Sequence, residues 1–314
     1  MLSLASLVAV LGACSGQDNS LTGVSIKDTT KVQVGSNTVT DTSHHAAPAA
    51  ECSAPKPSWI WCDDFEQDRL SRYFEYMDAG GRFTRDAGVG YNGSTGMRGR
   101  WLAGSQDAGA LHLAIGKTPQ AAFRPVDGGT AVYKEIYWRL YFKNQEGWTG
   151  AGSDKLTRAF SFASSTSYAQ AAFGHVWSGN SADPTTNKYL MIDPASGTDV
   201  NGNLMTTTYN DFGDMRWLGS MVGQTPVFDA AHLGKWHCVE VHMKLNSAGL
   251  SDGVLELWVD GNMEAQRTGL NYVGSAPYGI NAVYFENYWN AGSPANQERY
   301  FDNIVVSTAK IGCL

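Results

Sequence analysis

The stretch Tyr133–Trp148, YKEIYWRLYFKNQEGW, decides how the chain folds, because it reads as two interleaved sets of side chains. Ile136, Trp138, Leu140 and Phe142 make one set; Tyr133, Glu135, Tyr137, Arg139 and Tyr141 make the other. Successive side chains of a β-strand point to opposite faces, so the first set predicts a strand resting on a core. The second predicts an outward face of tyrosines and charges, where an idle solvated face would carry Thr, Ser and Lys.

The same pattern recurs along the chain. Alternating or apolar runs span Leu156 to Ala163, Ala171 to Trp177, Trp236 to Leu245, Val254 to Asp260, Ala282 to Trp289 and Tyr300 to Ser307, separated by turn signals such as GYNGSTG, DGG and VDGN. Long helical periodicity is missing, and no linker interrupts the 250 or so residues after Trp59. Many short strands at close spacing predict a single all-β sandwich or jelly roll. Within it, Val239, Val241, Met243 and Leu245 oppose Glu240, His242 and Lys244, while Leu255, Leu257 and Val259 oppose Glu256 and Trp258. Val283 and Phe285 likewise oppose Tyr284, Glu286 and Tyr288, and Phe173, His175 and Trp177 share one side of their strand. One outward sheet face rich in aromatic and ionisable groups is therefore expected, built from Glu135, Tyr137, Arg139, Tyr141, Trp177, His242, Trp258, Tyr284 and Glu286. Such a face suits a long sugar chain, whose C–H faces stack on aromatic planes while its hydroxyls and carboxylates need polar partners. The plainer alternative is that Tyr and Trp are good strand residues with solvated ends.

The net charge of −7 over 314 residues is too mildly acidic to indicate nucleic acid as a partner. MLSLASLVAVLGAC opens the chain with an apolar run too short to span a bilayer but suited to a secretory signal. Its end, Leu11 to Cys14, resembles a bacterial lipoprotein signal, which implies lipid on Cys14 and a place on the outer membrane or cell surface; an ordinary cleavable signal is the alternative. From Ser15 to Ser58 there is no aromatic residue. That composition cannot offset its ordering entropy, and it predicts a flexible tether, with a short strand in KVQVGSNTVT as the structured alternative. Cys52, Cys62, Cys238 and Cys313 remain for two disulfides in any of three connectivities. A monomer anchored only by its lipid is expected.

Three segments carry a family resemblance: WCDDFEQD near the domain start, GKWHCVEVHMKLN with DGVLELWVDGN, and INAVYFENYWN with RYFDNIVVSTAKIGC at the end. Together they resemble the concanavalin-like jelly-roll proteins of polysaccharide degradation, in particular glucuronan and alginate lyases and their fungal secreted relatives. The resemblance implies a jelly-roll β-sandwich of two antiparallel sheets over Trp59 to Leu314. It further implies a structural calcium joining the chain ends, with Glu66, Asn92, Ser94 and Asp302 as oxygen ligands. For chemistry it implies β-elimination at a uronic acid, with His175 as base, Tyr288 as acid (Tyr284 as substitute), and Arg158 with Lys155 neutralising the carboxylate. His242 is a second candidate base. Gln170, five residues before His175, is expected on the opposite sheet face if that strand is regular.

The chain has no HExxH and no GxxxxGK[ST] phosphate loop. Glu135 and Arg139, like Glu240 and Lys244, lie four apart on a strand, roughly 13 Å, and so cannot pair within it. If nothing else neutralises these glutamates, a glycoside hydrolase using Glu135 with Glu240, Glu256 or Glu286 becomes the alternative. A noncatalytic carbohydrate-binding or adhesion protein is the other.

Overall fold

The alternating runs form strands throughout. A computed structural model describes residues 50–179 and 183–314, all within one unit, His45–Leu314. The signal with Cys14, residues 15–49 of the tether and the strand considered in KVQVGSNTVT lie outside the described residues. In chain order the strands are β1 (Trp59–Asp63), β2 (Glu75–Met77), β3 (Phe83–Asp86), β4 (Gly96–Trp101), β5 (Asp107–Ala114), β6 (Glu135–Asn144), β7 (Asp154–Phe162) and β8 (Gln170–Ser178). They continue as β9 (Leu190–Ser196), β10 (Arg216–Trp217), β11 (Met221–Val222), β12 (His237–Lys244), β13 (Gly253–Val259), β14 (Asn262–Leu270), β15 (Ala282–Trp289) and β16 (Gln297–Ser307).

Two antiparallel sheets of eight strands form the jelly-roll β-sandwich. The first runs β14-β13-β12-β6-β16-β4-β3, with β1 paired to β16; the second runs β10-β9-β8-β7-β15-β5-β2, with β11 paired to β9. Between them lies the core foretold by the apolar sets. Ile136, Trp138 and Leu140 pair in register with Met243, Val241 and Val239, and share one buried cluster with Leu111, Leu113, Val283 and Phe285 of the second sheet. Full burial of each such side chain contributes about 1.5–3 kcal/mol.

One expectation needs correction. β6, β12 and β13 belong to the first sheet, whereas β15 and β8 belong to the second. The outward sets therefore stand on two faces on opposite sides of the sandwich. Glu135, Tyr137, Arg139, Tyr141, His242 and Trp258 share no face with Tyr284, Glu286 and Trp177. A period of two says which side of its own sheet a residue takes, but it does not say which sheet the strand joins.

Part of the outward face of the first sheet, around Arg139, Tyr141, Glu240 and Trp258, is covered by the chain's own ends. Arg139 is ion-paired with Glu51 and donates to the carbonyl oxygens of Gly312 (2.9 Å) and Asn303. Glu240 accepts from the N–H groups of Ile311 (2.6 Å) and Gly312 (3.0 Å), and the Tyr141 hydroxyl accepts from Leu314 N–H (2.6 Å). Lys310 lies over the Trp258 ring. Of the three open connectivities, Cys52–Cys62 and Cys238–Cys313 are the pairs formed, one at each chain end. Ala50 to Ser58 thus belong to the folded domain, which begins earlier than Trp59.

Candidate active site

Across the second sheet, the pairing registers line outward residues into rows. The central row is ionisable: Glu75, His112, Tyr284, Arg158, His175 and Asp193 stand opposite one another on β2, β5, β15, β7, β8 and β9. A second row runs Asp107, Tyr288, Lys155, Trp177 and Met191. A third is apolar: Ala114, Ala282, Phe160, Phe173 and Ala195, in a buried cluster closed by Phe123 and Met215.

Over the two polar rows opens a cleft of about 480 Å³, with Glu75, His112, Lys155, Tyr209, Glu286 and Tyr288 among its lining residues. Gly109, on its wall, is confined to glycine from behind: at φ 100° a Cβ there would sit 2.2 Å from Cβ of the buried Phe83.

Arg158 is fully buried at the cleft floor. Its Nε donates to Glu286 Oε2 (2.6 Å), its Nη2 to Glu286 Oε1 and to the Tyr209 hydroxyl (2.7 Å), and its Nη1 to Asn210 Oδ1 (3.1 Å). Burial works against both charges of the pair. Their mutual attraction prevails, holding Glu286 below the ordinary carboxylate range and Arg158 firmly protonated. Arg158, expected to neutralise a substrate carboxylate, is already neutralised by Glu286. Lys155 differs. Its ammonium makes no hydrogen bond or ion pair among the described residues and lies 4.5 Å from the centre of the Tyr288 ring. Burial, helped by the nearby Arg158 charge, lowers its pKa to about 8. The Tyr288 hydroxyl donates to Gln106 Oε1 (3.3 Å).

His175 shares the row of Arg158 but does not line the cleft. It is 3% exposed, flanked by Phe173 and Trp177, and its Nε2 is buried without a partner. Burial, then Arg158 and Lys155, hold it well below the ordinary histidine range, as a neutral ring. The expected base is thus set behind the surface that a substrate would touch. Tyr284, its proposed substitute acid, is stacked on His112 at 3.5 Å and pushed far above the ordinary tyrosine range by burial. Gln170 departs from expectation too. A register shift at Ser161/Phe162 pairs it with Phe162, and its Oε1 accepts from the N–H of Asn210, a cleft residue.

Sequence reasoning missed His112 and Tyr209. His112 Nδ1 is bonded to Glu75 (2.7 Å), which fixes the imidazole and lowers the Glu75 pKa; the other ring nitrogen, Nε2, makes no hydrogen bond among the described residues. Alternation in DAGALHLA puts His112 with Ala110, not with an aromatic set, so no pattern marked it. Tyr209, whose pKa burial raises to about 12, comes from the loop before β10, where no strand rule applies.

On the opposite face, His242 lies between Glu256 (2.7 Å) and Glu135 (2.8 Å), stacked on Tyr137. The glutamate pairs considered for hydrolysis do not include Glu286 there, because the whole sandwich separates it from Glu135, Glu240 and Glu256.

The candidate calcium ligands do lie together. Asp302 accepts from Tyr91 N–H (2.6 Å), Ser94 Oγ (2.7 Å) and Asn303 N–H (2.7 Å), and Glu66 accepts from Thr95 N–H (2.8 Å). Beside them is a cavity of about 210 Å³ with Asp64, Glu66, Asn92 and Ser94 on its wall. Among the described residues no three His, Cys, Asp or Glu side chains converge as a ready-made metal cage. The donors are nevertheless all oxygen, which suits a hard cation completed by carbonyls. Asp302 is buried with no cationic partner among the described residues, and burial pushes its pKa up to about 7.

No family model matches the sequence, and no curated protein matches it. Among solved structures, an endo-β-1,4-glucuronan lyase from the fungus Trichoderma reesei aligns over 80% of this chain and 96% of its own, with a TM-score of 0.51 at 11% identity. Alginate lyase vAL-1 from Chlorella virus aligns over 76% of this chain and 100% of its own, with a TM-score of 0.51 at 14% identity. The chain has the jelly-roll β-sandwich fold found in these glucuronan and alginate lyases.

Proposed function

We propose that this protein is an exported polysaccharide lyase that cleaves a uronate-containing glycan by β-elimination in the cleft over the second sheet. The observation that carries this reading is the ammonium of Lys155, desolvated and unpaired beside the Tyr288 phenol in an open cleft. In β-elimination the C5 proton must leave, the C4–O4 bond must break, and a C4–C5 double bond forms. Lys155 meets the C5 carboxylate and withdraws electron density, making the C5 proton easier to remove. His112 Nε2 takes that proton, its ring held by Glu75 through Nδ1. Tyr288 gives its hydroxyl proton to O4 of the departing sugar. Arg158, locked to Glu286 and Tyr209, keeps the floor of the cleft rigid. Two disulfides favour an exporting route, in which the lipid-bearing Cys14 would tether the domain.

A calcium held near Asp302, Glu66, Asn92 and Ser94 is part of the same proposal, as a structural ion that supplies the positive charge Asp302 lacks. Incubation with uronate polymers, read by the ultraviolet absorbance of the conjugated double bond, tests the reaction. New reducing ends without that absorbance would make the protein a hydrolase. Binding with neither would make it an adhesin.

A further inference from the structure

The charges around the cleft are unsuited to a polymer with a carboxylate on every sugar. Its lining holds three carboxylates, Glu75, Asp107 and Glu286, against two cations, Lys155 and Arg158. Arg158 and Glu286 cancel each other through their paired hydrogen bonds. Lys155 is then the single unpaired cation among the described lining residues, with Glu75 and Asp107 on one side of it.

On the other side the row continues through Trp177, the register partner of Lys155, to Met191. These residues border a second cavity of about 390 Å³, whose wall includes Asp193 and Trp217. Asp193 is buried and makes no hydrogen bond or ion pair among the described residues. Trp217 is 45% exposed, packed edge-on against Phe173. An indole face and a carboxyl group that burial keeps protonated up to a pH of about 7 suit a neutral sugar, which brings C–H faces to the ring and hydroxyl groups to the oxygens. Above a pH of about 7 a second uronate there would meet a like charge, with no cation among the described lining residues to offset it.

We propose that the cleft selects a glycan in which a single uronate, seated at Lys155, is flanked by neutral sugars, in preference to a homopolymer of uronic acids. This rests on the lyase reading and narrows its substrate class. Discrimination comes from repulsion as much as attraction: the carboxylates on either side of Lys155 disfavour neighbouring uronates.

The test compares the full chain on gellan, whose repeat spaces one glucuronate among neutral sugars, with polyglucuronate and polymannuronate, all read by the absorbance of the unsaturated product. The expected kcat/KM is about tenfold or more higher on gellan. Asp193→Asn, isosteric and uncharged, is expected to raise the ratio of homopolymer to gellan turnover several-fold, with the homopolymer KM losing part of its dependence on salt. Equal or faster cleavage of either homopolymer by the wild type overturns the proposal and leaves the lyase reading standing. An unchanged ratio in Asp193→Asn overturns the repulsion on which it depends. Binding of gellan without unsaturated product from any of the three polymers defeats the lyase reading itself, and the proposal with it.

Discussion

The two outward faces of the sandwich have the same ingredients and opposite uses. Arg139, Glu240 and Tyr141 on the first sheet, like Arg158, Glu286 and Tyr288 on the second, combine an arginine, a glutamate and a tyrosine on adjacent strands. On the first sheet their partners are Glu51 and the backbone of residues 303–314, so this part of the face is covered by the protein's own chain. On the second, Arg158 and Glu286 pair with each other, and Lys155 and Tyr288 are left toward an open cleft. A face of aromatic and charged residues signals that something polar will be held there. Whether that partner is the same chain or a ligand depends on where the termini run.

The largest expected effect separates the faces by activity. Tyr288→Phe and Lys155→Met should each lower kcat/KM on a uronate polymer by ~10²–10⁴. Tyr137→Phe, on the face away from the cleft, should change it less than about twofold. Steady-state kinetics on the three variants would break the comparison if Tyr137→Phe lost as much as Tyr288→Phe. Stability should show the reverse. Arg139→Ala removes one partner of a buried pair and strands Glu51, so a loss of about 3–5 kcal/mol is expected in urea unfolding, with kcat of the folded fraction unchanged.

A smaller effect follows from the lowered pKa of Lys155. If its cation meets the carboxylate, the alkaline limb of kcat/KM should begin at a pH of about 8 and fall about tenfold per unit beyond it. Unfolding through this residue cannot imitate that fall. Its pKa is lower folded than unfolded, so its contribution to stability rises as the pH climbs from about 8 towards the ordinary lysine value. Lys155→Arg should move the alkaline limb upward; an unmoved limb would assign it to another group.

The smallest effect concerns the calcium proposed at the chain ends. A chelator should lower Tm by a few degrees in the wild type and do little to Asp302→Ala. Because burial raises the Asp302 pKa to about 7, its contribution without a cation is fully present below the ordinary carboxylate pKa and is lost as pH rises through about 7. The chelator effect should therefore grow between pH 5 and pH 8, to about that few-degree size. Identical melting with and without chelator at both pH values would remove the ion from the account.

The sequence by itself determined the strands, the sandwich and its core. Each rests on a local period of two: Ile136, Trp138 and Leu140 had to face inward wherever their strand was placed, and they do. Tyr288 was legible as an outward, ionisable strand residue for the same reason, whereas Lys155 and Arg158, three apart, come to one face only through the register shift between Lys155 and Thr157. Only the tertiary structure decided which sheet each strand joined, and this moved Glu135, Tyr137, Arg139, Tyr141, His242 and Trp258 to the face away from the cleft. It also decided the pairing of cysteines 10 and 75 residues apart, the burial of His175, and the meeting of His112 with Glu75 across 37 residues. Side-chain alternation is a property of one strand, whereas sheet membership, burial depth and ion pairing arise from contacts between segments far apart in the chain.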